Sequence, residues 1–196
     1  MDLMILLLVI VVIAIAAVLL LKRRRTDQLR NQFGPEYKRA VEDTGDPRKA
    51  ELELLDRQKR VKSFSIKPLL PGDRERFASS WQRVQAEFVD NPKGSITHAD
   101  ALLKDVMAAR GYPVTDFDQR SADLSVDHPE VVQNYRAAHD IAMRHERGEA
   151  STEDLRQAMI HYRALFEELT EEAGQRSDRN IGQESSRQEN ARDTRK

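Results

Sequence analysis

Cysteine is absent from the 196 residues. That excludes disulfide frameworks, thiolate zinc sites, iron–sulfur clusters and cysteine nucleophiles. Glycine is sparse, with eight residues at positions 34, 45, 72, 94, 111, 148, 174 and 182. Phosphate-cradling loops and nucleophile elbows need glycines a few positions apart, so Walker loops, dinucleotide fingerprints and Gly-x-Ser-x-Gly turns are all missing. The five histidines, His98, His128, His139, His145 and His161, form no His-x₃-His pair. No Glu-x-x-His occurs either, because Ser95, Ser125, Arg136, Ala142 and Ala158 stand three residues before them. This removes the di-iron carboxylate bundle, the metalloenzyme best suited to a helical chain. His128, His139 and His161 remain as a loose trio without ordinary ligand spacing. Asp116-Phe117-Asp118 opens like a calcium loop, but Arg120 and Ser121 occupy positions needing an oxygen ligand and a glycine. The sequence thus predicts no metal, no cofactor and no catalytic residue, and an enzyme is the less favoured class.

What is present begins with an unbroken apolar run, Leu3–Leu21, followed by Lys22, Arg23, Arg24 and Arg25. As a helix, 19 residues span about 28 Å at roughly 1.5 Å each, close to the hydrocarbon thickness of about 30 Å. No basic region precedes the run, which argues for an uncleaved anchor over a signal peptide. The four basic residues on one flank predict a cytoplasmic soluble domain. The expected partners are therefore membrane lipid through residues 3–21 and anionic headgroups at Lys22–Arg25.

Charge is uneven around a net of −1: +3 over residues 1–25, +2 over 26–70, −4 over 71–130, −4 over 131–172 and +2 over 173–196. An acidic body lacks the concentrated basic face that nucleic acid demands, so no nucleic-acid partner is expected.

Helical signals fill the rest. Gly34-Pro35 and Asp46-Pro47 read as helix starts, with Gly45 between them as a stop. Ala50, Leu54, Val61 and Phe64 give one stripe in a densely charged segment. Ser65–Gly72 is a breaker, extended by Pro68 and Pro71. Asp73 is placed to cap a helix whose Phe77, Trp81, Val84 and Phe88 recur at helical spacing. Ser95 or Thr97 is placed to cap the next, ending at Gly111. Asp127-His128-Pro129 reads as another capped start, followed by Val131, Val132, Tyr135, Ala138 and Ala142. Ser151–Asp154 is a capping-box pattern before the strongest stripe, Leu155 to Leu169. No alternating strand pattern reaches useful length. The expected fold is all-α: a single N-terminal transmembrane helix (1–25), a helical-bundle-like soluble domain of five or six helices (26–172), and a disordered polar tail (173–196).

The least regular stretch, 116–129, combines acids, one arginine and one histidine between helices. Arg120, Asp123, Asp127 and His128 are the candidate functional surface, since functional groups gather on connectors held by a scaffold. Arg120 is placed to pair with Asp116 or Asp123, and Asp127 to orient His128.

Gln32-Phe33-Gly34-Pro35-Glu36-Tyr37, Arg110-Gly111-Tyr112-Pro113-Val114 and Asp123-Leu124-Ser125-Val126-Asp127-His128-Pro129 together resemble an uncharacterised family of bacterial single-pass membrane proteins with a helical soluble domain. The likeness covers most of 1–172. It implies a bacterial source and an inner-membrane location, and carries no activity or cofactor. The leading expectation is a membrane-anchored interaction or scaffold module with a protein partner. The alternative is a membrane-tethered enzyme or small-ligand-binding domain using the 116–129 connector.

Overall fold

The computed structural model describes residues 2–171, without the side chains of 2–6, 8, 9, 11, 12, 14, 15 and 18. The expected disordered tail over 173–196 lies outside the described residues. Among those residues there are eight helices and no strand: α1 (Asp2–Phe33), α2 (Pro35–Thr44), α3 (Pro47–Val61), α4 (Pro71–Asp90), α5 (Pro92–Ala109), α6 (Phe117–Asp127), α7 (Val132–Glu146) and α8 (Thr152–Thr170). Seven helices follow α1, where stripe patterns predicted five or six. Asp116 to Leu124, which the sequence leaves as a short helix or a turn, forms most of a helix that runs from Phe117 to Asp127.

Proline sets many of these starts. Pro35, Pro47, Pro71 and Pro92 each open a helix, where the ring's fixed φ suits the first turn and the missing N–H costs nothing. Asp46 accepts from the Arg48 N–H at 2.8 Å, and Ser151 and Asp154 complete a reciprocal capping box on α8. Three predicted starts move. Asn91 caps α5 by accepting from Gly94 N–H at 3.0 Å, ahead of Ser95 and Thr97, because Pro92 already fixes the first helical residue. Asp73 lies inside the first turn of α4, which Pro71 opens. Asp127 ends α6 instead of starting α7.

The transmembrane helix is corrected. Among the described residues no helix is long and apolar enough to cross a membrane. α1 reaches from Asp2 to Phe33. The same helix runs without a break through Lys22–Arg25 into the polar residues before Phe33. The single-pass topology and inner-membrane location expected from the Leu3–Leu21 run fall with it.

The chain divides into two compact units: residues 1–63 with 122–130, and residues 64–121 with 131–196. In the first, α1, α2 and α3 pack on one another. Its buried side chains include Leu29, Phe33, Tyr37, Leu54, Val61, Leu124 and Val126. Gly45 lets α2 turn into α3: its φ of 65° is left-handed, and its N–H closes the helix on the Val41 carbonyl.

In the second unit α5 contacts both α4 and α8, and α7 contacts α8. Trp81 on α4 is buried and stacks on Phe166 of α8, with ring centroids 4.7 Å apart and planes inclined by 13°. The whole predicted stripe of α8, Leu155, Ala158, Met159, Tyr162, Leu165, Phe166 and Leu169, is buried. Gly111 joins α5 to the following segment at φ 94°; a Cβ there would lie 2.4 Å from the Ser65 carbonyl oxygen.

Candidate functional site

The four residues nominated by sequence fall into different units and mostly into the interior. Arg120, in the second unit, is 6 % exposed; Asp123 and His128, in the first, are each 2 % exposed; Asp127 is exposed.

In the first unit, α3 supplies the counter-charges. Arg57 and Arg60 lie three residues apart, so they emerge on one side of the helix. Arg60 Nε and Nη2 each sit 2.7 Å from Asp123 Oδ1. Arg57 Nη1 lies 3.6 Å from the carboxylate of Glu36, itself 1 % exposed, and donates to Ser125 Oγ at 3.3 Å. Arg57 also pairs with Glu53 one turn earlier. Gln32 Nε2 donates to the Val126 carbonyl at 3.5 Å. Two arginines, two buried carboxylates and a serine thus fasten residues 122–126 to the α1–α3 group. A buried carboxylate is tolerable only when such donors surround it.

In the second unit, Arg120 Nε donates to Tyr135 Oη at 2.8 Å and its Nη1 to the Thr115 carbonyl at 2.7 Å. It pairs with neither Asp116 nor Asp123. Tyr162 Oη donates to Asp100 Oδ1 at 3.4 Å, and Lys104 Nζ closes on Asp100 Oδ2 at 2.6 Å. Burial, reinforced by the Asp100 charge, pushes the Tyr135 phenol up to about 12, with Arg120 opposing. The same causes in the same order, with Tyr135 added, raise Tyr162. Both hydroxyls are therefore protonated near neutrality. His139 stacks on Phe117, centroids 3.6 Å apart. Burial lowers its pKa; Asp100 opposes and Arg120 adds to the lowering. His161 Nδ1 lies 2.9 Å from Asn134 Oδ1. The rings of Tyr135 and Tyr162 are fully buried, so their hydroxyls order the interior of this unit.

The loose histidine trio gathers no ligand set: among the described residues, no group of three or more His, Cys, Asp or Glu is arranged to hold a metal ion. Lys22, Arg23, Arg24 and Arg25 are all exposed on α1. Arg25 contributes to an open cleft of about 540 Å³ in the first unit, where Gln28, Asn31, Gln32 and Gln58 surround Leu29 and Leu55.

Sequence reasoning missed Glu36, beside a helix start, and Arg57 and Arg60, which lie in a densely charged helical segment. The one local signal was the i, i+3 spacing of the two arginines. It also missed the amide cleft, since glutamines on a polar helix carry no motif. No protein-family model, no curated protein and no solved structure matches the chain.

Proposed function

We infer that this chain is a helical interaction module that recognises a protein partner through its exterior. One observation carries the reading: Arg120, Asp123 and His128, three of the four connector residues nominated by sequence, are buried, and Arg120 and Asp123 hold internal partners. A reactive surface needs such groups in an accessible cleft with room for a substrate. Large apolar side chains stand outside instead: Leu70 is 68 % exposed, Val114 70 % and Val89 81 %. Single exposed apolar residues are ordinary, so the weight rests on the spent interior chemistry, which favours recognition over catalysis.

A second reading is favoured by the amide-lined cleft. Carboxamides over an apolar floor with one arginine suit a small polar ligand carrying an anionic group.

One experiment separates the two. A photo-crosslinking residue is placed at Leu70, Val89, Val114 or Gln28 in the full chain in its native host. Discrete protein adducts at one of the first three positions, absent at Asp123, support the module. Adducts at none of them, together with a small-molecule-dependent rise in melting midpoint lost in Gln28→Ala, would transfer the function to the cleft.

A further inference from the structure

The segment between α3 and α4 is more than a helix breaker. Lys67-Pro68-Leu69-Leu70-Pro71 contains two residue–proline pairs three positions apart. Each proline ring fixes its own φ near −65°, and each restricts the preceding residue to extended backbone. Leu70 has φ −65° and ψ 149°, the polyproline II geometry. That helix repeats every three residues, so side chains at i and i+3 share a face.

The burial pattern follows this threefold repeat. Leu69 is 7 % exposed and pins the segment inward. Pro68 and Pro71, three apart, are exposed, as are Lys67 and Leu70, also three apart. Two of the three faces therefore point to solvent. The ends are held: the Lys67 N–H donates to the Arg110 carbonyl at 2.9 Å, and the Ser65 carbonyl lies where a Cβ on Gly111 would go. The Leu70 carbonyl accepts from Arg74 N–H at the start of α4. Within the described residues, the carbonyls of Pro68 and Leu69 accept no backbone hydrogen bond. Space beside Gly72 is open.

We propose that residues 67–70, extended up to the Pro71 that opens α4, present with its ring a preformed polyproline II ridge that docks into an aromatic-lined groove of a partner protein domain. Pro68 packs with Lys67, and Pro71 with Leu70, into successive slots between aromatic rings. Hydroxyl or indole N–H donors on those rings reach the Pro68 and Leu69 carbonyls, and an acid at the groove's rim meets Lys67. Grooves of this kind bind Pro-x-x-Pro segments because the ligand is already extended and loses little entropy. Here the fold supplies that order in advance, which lowers the cost of association further. The proposal rests on the interaction-module reading and names the partner's chemistry.

The test uses the full chain against purified SH3 and WW domains, each first shown to bind a reference Pro-x-x-Pro peptide. The expected result is saturable binding to at least one domain, competed by that peptide. Pro68→Ala with Leu70→Ala should weaken it about tenfold or more, and Lys67→Glu less, by about threefold. Leu70→Arg keeps both prolines and blocks the slot from the outside. It should lose binding with the helical circular dichroism and melting midpoint unchanged. No binding by any domain, binding that the peptide does not compete, or binding unaffected by Leu70→Arg would overturn the ridge. Protein adducts at Val89 or Val114 that survive Leu70→Arg would do so too, while leaving the interaction module standing.

Discussion

Arg60 grips Asp123 with two nitrogens at once: Nε and Nη2 are both 2.7 Å from the same carboxylate oxygen, Oδ1, across 63 positions of sequence. The arrangement is asymmetric in burial. The Asp123 side chain is 3 % exposed and that of Arg60 37 %. Removing the guanidinium takes a close counter-charge from a buried carboxylate, whereas removing the carboxylate returns an arginine to water. Arg60→Ala should therefore destabilise the chain by about 3 kcal/mol, within the range for breaking a buried pair. Asp123→Asn, which keeps an acceptor, should cost about 1 kcal/mol. Denaturant midpoints of the two variants check this; equal losses would mean that Asp123 is held chiefly by its other neighbours.

Trp81 is 5 % exposed and lies against Phe166. Trp81→Ala should cost about 3–5 kcal/mol through lost burial and the cavity left behind. Part of that loss belongs to the ring pair itself. A double-mutant cycle with Phe166→Leu should return a coupling of about 1 kcal/mol. Additive losses would assign the whole effect to burial.

Local chemistry was readable and long-range pairing was not. Prolines at helix starts, Asp46 as a cap, the Ser151–Asp154 box and the α8 stripe each depend on residues within a few positions, so spacing sufficed. Trp81 was legible because its stripe repeats cleanly from Phe77 to Phe88. The polar interior was hidden for the opposite reason. Arg57 and Arg60 look identical in sequence to the solvated arginines Arg76 and Arg83; only the approach of Glu36, Asp123 and Ser125 distinguishes them. Asp116 was a reasonable partner for Arg120 by proximity, yet the guanidinium turns to Tyr135, fifteen residues on. The apolar Leu3–Leu21 run taken by itself suggests a span, whereas in the structure it is one end of a helix that continues to Phe33.

Gly111 is required by both conformation and space. Its φ of 94° is unfavourable for any residue with a Cβ, and that atom would meet a backbone oxygen at 2.4 Å, which cannot swing aside. Gly111→Ala should cost about 2–4 kcal/mol, combining backbone strain with displacement of the 65–66 segment. Because that segment leads into Pro68, the variant should also raise hydrogen exchange at the Lys67 N–H. A melting midpoint equal to wild type would show that the turn relaxes without loss.

The last prediction concerns alkaline pH. Burial, with Asp100 behind it, raises Tyr135 to about 12, from an ordinary value of 10.0, and raises Tyr162 as well. In the unfolded chain both phenols ionise near 10, while the folded chain keeps them protonated. Between pH 10 and about 12 the unfolded state thus binds fewer protons, so stability falls as pH rises through this window. Below pH 10 the contribution is complete. For Tyr135 alone the loss is on the order of 2–3 kcal/mol at its end. Phenolate absorbance should therefore show two of the four tyrosines titrating only as the helical signal is lost. Tyr162→Phe removes one of them and leaves the Arg120–Tyr135 bond intact, so its stability should decline less steeply over the same window. If Tyr135 and Tyr162 titrate near 10 with the helices intact, their interior is open to water and its role in ordering the second unit is wrong.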